Sequence, residues 1–238
     1  MARPAQLRHD RSAATRHGLR AVLFDWDGTL SDSRQVLLEA WHASTELVLG
    51  RRFPAAPEDE DVVFTLPGAE IWPAITADAE QADRLAAAFQ EAYADAAGSL
   101  SAFPGIPEVL VELREHGIKI GIVTSKGRRR FVPDSERIRI GHLIDVAVCA
   151  GEAAAAKPDP ASLLTALDGL GVGPAQAAMV GDTVVDVTAG RAAGTITFGV
   201  AWGHGTPGAL LAAGAEWVAA GAAELLERVL ASEPGGER

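Results

Sequence analysis

Four apolar residues, Ala21, Val22, Leu23 and Phe24, run directly into Asp25-Trp26-Asp27-Gly28-Thr29-Leu30. A segment apolar at every position is a strand buried on both faces, and such strands belong to parallel sheets covered by helices. Open sheets of that kind bind ligands at the carboxyl ends of their strands, so Asp25 and Asp27 stand where chemistry is expected. Gly28 supplies the sharp turn beyond the strand. Ser31, Asp32 or Ser33 is placed to cap a helix that starts near Arg34.

The next stretch has helical spacing only. Val36, Leu37, Ala40, Trp41, Leu47 and Val48 predict an amphipathic helix over 34–50, ended by Gly50. Residues 51–57 read as a linker, Pro57 and Glu58 open another helix, and 66–70 break the chain before a short segment at 71–77. Leu85, Phe89 and Tyr93, four apart, lie on a long helix over 78–97 closed by Gly98. After that, strands (118–123, 145–149, 177–180, 195–200) alternate with helices (108–116, 161–170, 187–193, 222–230). Alternation of this kind is the mark of an α/β core, and the purely helical stretch reads as an insertion into it. The expected division is a disordered tail over 1–18, a core domain of 19–32 and 101–238, and a helical cap of 33–100. The fold class expected is a Rossmann-like parallel sheet with helices on both faces and an inserted α-helical cap.

Three further segments place reactive side chains at strand or loop ends. Thr124-Ser125-Lys126-Gly127 follows the strand at 118–123, and Lys157 directly precedes Pro158, which keeps it out of helical conformation. The apolar run 177–180 ends in Gly181-Asp182, with Asp186 one helical turn later on the same side. Asp25-x-Asp27-Gly28-Thr29, a Thr ending a second strand, a Lys further on and Gly181-Asp182 with Asp186 together resemble the four motifs of the haloacid dehalogenase superfamily. The opening from Phe24 to Ser33 resembles its phosphoglycolate phosphatase-like members in particular. Gly169-x-Gly171-x-Gly173 follows a helix rather than a strand and is dismissed as a nucleotide loop.

Right-handed crossovers bring these strand ends to one edge of the sheet. Three or four acids gathered in a dry site call for a hard divalent cation, and Mg²⁺ suits an open phosphate site built from oxygen ligands. The resemblance implies that Asp25 is the nucleophile that forms an aspartyl-phosphate and that Asp27 is the acid and base. It implies further that Thr124 contacts phosphate, that Lys157 offsets charge, and that Asp25, Asp27 (through its backbone carbonyl), Asp182 and Asp186 hold Mg²⁺. Thr124, Ser125 and Lys126 are the expected phosphate-binding group, and Arg51, Arg52, Lys126 and Arg128 to Arg130 are candidates for a second anionic group of the substrate.

The expected activity is Mg²⁺-dependent hydrolysis of a small phosphate monoester, phosphoglycolate-like. Pyrophosphate hydrolysis, sugar phosphate mutation and a non-catalytic interaction role are the alternatives. An acid at Asp27 argues against a dehalogenase. Asp27 and the absence of lysine from 33–100 both argue against a phosphonoacetaldehyde hydrolase, despite Trp26. The partner expected is a small phosphorylated metabolite. With 21 basic against 32 acidic residues and a net charge of −11, no nucleic-acid partner is expected. No apolar run approaches the roughly 20 residues needed to span a bilayer, so no membrane partner is expected either. Arg3, Arg8, Arg11 and Arg16 lie in a segment lacking the apolar stretch of a secretory signal, and a single cysteine, Cys149, permits no intrachain disulfide. A cytoplasmic monomer or homodimer is expected.

Overall fold

The computed structural model describes residues 18–64, 66 and 68–232, so the expected disordered tail lies, but for Gly18, outside the described residues. Six strands form one parallel sheet: β1 (Ala21–Phe24), β4 (Lys119–Val123), β5 (Val146–Val148), β6 (Ala177–Gly181), β7 (Ile196–Val200) and β8 (Trp217–Ala219). Their order is β5-β4-β1-β6-β7-β8, so the first strand is central, with β4 on one side and β6 on the other. Period-two alternation divides β1 between two cores. Val22 and Phe24 join Ile120, Ile122 and Val180 against Leu110 and Leu113 of α5 (Ile106–Glu115) and Val229 of α10 (Ala222–Ala231). Ala21 and Leu23 join Met179 on the other face, against Leu163 and Leu167 of α7 (Ala161–Leu170) and Ala189 of α8 (Val184–Ala193). Each fully buried Leu or Phe in these layers contributes about 1.5–3 kcal/mol. α6 (Arg128–Arg137) follows β4, and α9 (Pro207–Ala213) follows β7.

The insertion consists of α1 (Arg34–Leu49), α2 (Pro57–Phe64), α3 (Gly68–Ile75) and α4 (Ala79–Ala96). The chain leaves and re-enters the core through a short antiparallel pair, β2 (Ser31–Asp32) with β3 (Ser101–Ala102). Trp41 of α1 fixes the helices to one another, its ring 4.5 Å from that of Phe89 and 5.2 Å from that of Trp72. Gly50 ends α1 in the left-handed conformation, and Asp78 caps α4 by accepting from the backbone of Glu80 and Gln81. Two expectations need correction. Ser33 sits at the start of α1 but makes no side-chain cap bond, and the break expected at 66–70 is shortened because α3 begins at Gly68. Among the described residues no helix is long and apolar enough to cross a membrane.

Candidate active site

The register of the sheet builds the site. Phe24 lies opposite both Ile122 and Val180, so Asp25, Thr124 and Asp182 leave three adjacent strands at nearly one level. The Asp25 backbone N–H donates to Val180 O at 2.9 Å, which keeps the chain in line for one residue past the strand. Gly28 then turns it with φ +83°, and a side chain there would run into Asp182 and His204.

Lys157 is the hub. Its ammonium, 5% exposed, donates to Asp25 Oδ1 at 2.8 Å, Asp186 Oδ1 at 2.6 Å and the carbonyl of Val123 at 2.9 Å. Burial works against that charge, yet Asp186 and Asp25 together hold the Lys157 pKa above the ordinary lysine value. Asp25 is pushed up to about 8, first by burial and then, against the pull of Lys157, by the neighbouring Asp186 and Asp182.

Asp186 and Asp182 are themselves fixed. Thr183 caps α8, and Asp186 Oδ2 accepts from the Thr183 backbone N–H at 3.0 Å and from its hydroxyl at 2.6 Å, closing a capping box. Asp182 is fully buried: Oδ1 accepts from the Thr29 hydroxyl and Oδ2 from the backbone N–H of His204, with His204 Nδ1 also 2.8 Å away. Gly203 and Gly205 allow that loop to close on Asp182, since a Cβ on either would collide with it. Asp25, Asp182 and Asp186 each present one carboxylate oxygen within 4.8 Å of the others. Three buried acids with one ammonium among them leave excess negative charge, and an all-oxygen donor set of this kind fits a hard divalent cation.

Asp27 has a separate partner. Lys126 donates to Asp27 Oδ1 at 2.9 Å, to Asp134 Oδ2 at 2.7 Å and to the Tyr93 hydroxyl oxygen at 2.7 Å, while that hydroxyl donates to Asp134 at 2.6 Å. Burial opposes ionisation of Asp27, but Lys126 wins and holds its carboxyl below the usual range. Burial raises the Tyr93 pKa, and the Asp27 and Asp134 charges raise it further.

Above these groups, between the sheet edge and the inserted helices, lies a cavity of about 390 Å³. Thr124, Ser125 and Lys126 line it with Asp25, Asp27 and Lys157. The Thr124 hydroxyl also accepts the Lys126 backbone N–H at 3.0 Å. The structure separates the arginine candidates. Arg130 lines the cavity, whereas Arg128 pairs with Glu152, Arg52 reaches His42 and Glu46, and Arg51 reaches the carbonyl of Ile75.

Sequence reasoning missed three residues. His204 falls among loop residues by composition, and a histidine between two glycines just past a strand end is the available signal. Tyr93 falls in the apolar stripe of the helix over 78–97, and nothing in the pattern singles out Asp134. No local pattern reveals either, because their partners are 33 and 8 residues away along the chain.

Residues 22–200 match the family of haloacid dehalogenase-like hydrolases. The chain is 35% identical over 208 residues to a phosphoglycolate phosphatase of Cupriavidus necator, covering 82% of this chain and 87% of that one. It is 32% identical over 191 residues to an N-acetylmuramic acid 6-phosphate phosphatase of Pseudomonas aeruginosa, covering 78% and 83%. A crystal structure of a hydrolase from Pseudomonas syringae superposes with a TM-score of 0.78 at 26% identity, over 88% of this chain and 97% of that one.

Proposed function

The chain belongs to the haloacid dehalogenase-like hydrolases and is a phosphoric monoester hydrolase among them; on that premise we propose that it hydrolyses a small, phosphoglycolate-like phosphate monoester through an aspartyl-phosphate on Asp25, with Mg²⁺ as cofactor. The observation that supports this reading most is the meeting of Asp25, Asp182, Asp186 and Lys157 at one sheet edge, with Asp27 two residues away on a separate ion pair.

A carboxylate oxygen of Asp25 attacks phosphorus, and the ester P–O bond breaks with its electron pair going to the alcohol oxygen, which takes a proton from Asp27. Water then attacks the aspartyl-phosphate, giving its proton to Asp27 and releasing phosphate and the Asp25 carboxylate. Thr124 donates its hydroxyl to a phosphate oxygen, and Lys157 balances the charge gathered around Asp25. Asp25, Asp182 and the backbone carbonyl of Asp27 would hold Mg²⁺, with Asp186 placing the ion or its waters. The ion would supply charge neutralisation for the phosphoryl oxygens. Residues 33–100 act as a cap over a core of 19–32 and 101–238, closing on the substrate and excluding water.

The test is phosphate release from phosphoglycolate, pyrophosphate, sugar phosphates, nucleotides and an aryl phosphate, with Mg²⁺ or with chelator, for wild type and Asp25→Ala. Metal-dependent release that Asp25→Ala abolishes is the expected result. No release from any compound would overturn the reading, and isomerisation of a sugar phosphate in its place would make the enzyme a mutase.

A further inference from the structure

Three cations line the cavity, and two of them are committed: Lys157 to Asp25 and Asp186, Lys126 to Asp27 and Asp134. Arg130 is the third. Its guanidinium lies 5.1 Å from the ring centroids of Phe89 and Tyr93 and has no ion pair or hydrogen bond with another described side chain. Stacking on two rings orients the fork without using its donors. It lines the same cavity as Asp27, the acid of the proposed reaction. A guanidinium oriented in a cavity wall with its donors unused is a receptor for a carboxylate, which it can grip with two parallel hydrogen bonds.

The same wall is apolar beyond Arg130. Trp72 is partly exposed there, packed on the buried rings of Trp41 and Phe89, and all three line the cavity that also holds Asp25 and Asp27. Glycolate offers this surface nothing to bury. At about 30 Å³ per water, the cavity holds the volume of about thirteen waters, more than phosphoglycolate with its nine non-hydrogen atoms displaces. We propose that the substrate is the phosphate ester of a hydroxy acid larger than glycolate, its carboxylate held by Arg130 and its ring or hydrocarbon skeleton laid on Trp72, which Trp41 and Phe89 back. This rests on the phosphatase reading above and narrows its substrate class.

Three compounds separate the requirements. Glucuronic acid 1-phosphate and glucose 1-phosphate differ only in a carboxylate against a hydroxymethyl group, and phosphoglycolate keeps a carboxylate without the bulk. Wild-type kcat/KM is expected to favour glucuronic acid 1-phosphate over glucose 1-phosphate by about tenfold to a hundredfold, the range of a hydrogen bond to a charged group. It is expected to favour it over phosphoglycolate by about fourfold to fifteenfold, one or two methylenes' worth of burial. Arg130→Met, which keeps the apolar stem, brings the first ratio near one, and Arg130→Lys leaves it intermediate. Trp72→Ala lowers the second ratio. Ratios taken on one preparation are insensitive to the fraction of folded enzyme, so loss of stability in a variant cannot imitate these results. Equal turnover of the two glycosyl phosphates, a preference that survives in Arg130→Met, or preference for phosphoglycolate overturns the proposal while leaving the phosphatase standing. Absence of release from all three while the aryl phosphate is still hydrolysed overturns the proposal alone, and absence from every compound of the wider panel overturns both.

Discussion

Mg²⁺ binding to the metal-free protein at pH 7 is expected to release close to one proton, and Asp25 is its source. Burial and the charges of Asp186 and Asp182 raise this carboxyl to about 8, so about nine-tenths of it is protonated at pH 7 and about one-tenth at pH 9. A metal ligand must be deprotonated. The expected release is therefore about 0.9 proton per ion at pH 7 and about 0.1 at pH 9, with apparent affinity about tenfold higher at the upper pH. Isothermal titration in buffers of different ionisation enthalpy counts these protons directly. Asp25→Asn is expected to bind more weakly and release none. Asp186→Asn removes a repelling charge and leaves Lys157 to Asp25 alone, so release at pH 7 is expected to fall. The same group sets the sign of stability in chelator. Its folded value lies above its unfolded value near 3.8, so the fold carries no penalty below about pH 4, loses stability as pH rises through about 8, and regains it when metal is added. Release below about 0.2 proton at pH 7, or equal release at both pH values, would refute the argument that the three carboxylates share too little positive charge.

Lys126→Met leaves the buried Asp134 and the half-buried Asp27 without their shared cation, and urea unfolding is expected to show a loss of about 3 kcal/mol. Adding Asp134→Asn should restore part of it, and strict additivity would argue that the pair is not coupled. His204→Phe keeps the stack on Phe64, 4.2 Å between ring centroids, but removes one donor to Asp182. Metal affinity measured by titration should drop about tenfold to a hundredfold with little change in melting temperature. Thr183→Val removes the cap of α8 and one donor to Asp186, and thermal unfolding should report a cost of about 1–2 kcal/mol.

The core of the fold was legible because each strand obeys a local rule. Val22 and Phe24 must face one layer and Ala21 and Leu23 the other, and an unbroken apolar run has no other resting place than a covered parallel strand. The strand-end acids were legible for the same reason, since polar residues that interrupt such a run mark its tip. Lys126 was not. Arg128, Arg129 and Arg130 beside it suggest a solvated basic patch, whereas the turn after Thr124 points its ammonium inward to Asp27, and Tyr93 arrives from α4 to complete the shell. His204 escaped because the close approach of Gly203 and Gly205 to Asp182 is a tertiary fact. In general the sequence discloses what alternation and spacing dictate within one element, and it conceals contacts made where two elements are brought together by burial.

Asp25 and Asp27 illustrate how far that concealment matters for mechanism. They leave the same strand two residues apart, yet burial and acidic neighbours raise one, and Lys126 lowers the other. In the metal-free protein this ordering would make Asp25 the acid and Asp27 the base. The proposed reaction needs the reverse, an ionised Asp25 and a protonated Asp27. A divalent cation beside Asp25 favours its charged form and inverts the local order, while a phosphate dianion arriving against Asp27 repels its charge and competes for Lys126, raising its proton affinity. In the proposed reaction, ligands rather than the fold alone would put each proton on the carboxyl that uses it. The consequence is measurable in kcat/KM against pH at saturating Mg²⁺. With Asp25 ionised by the cation, no rise in activity through pH 8 is expected, and the acidic limb should fall well below that value. A limb that still rises through pH 8 with metal saturating would show that Asp25 keeps its metal-free proton affinity, and would remove the cation from its assigned place beside the nucleophile.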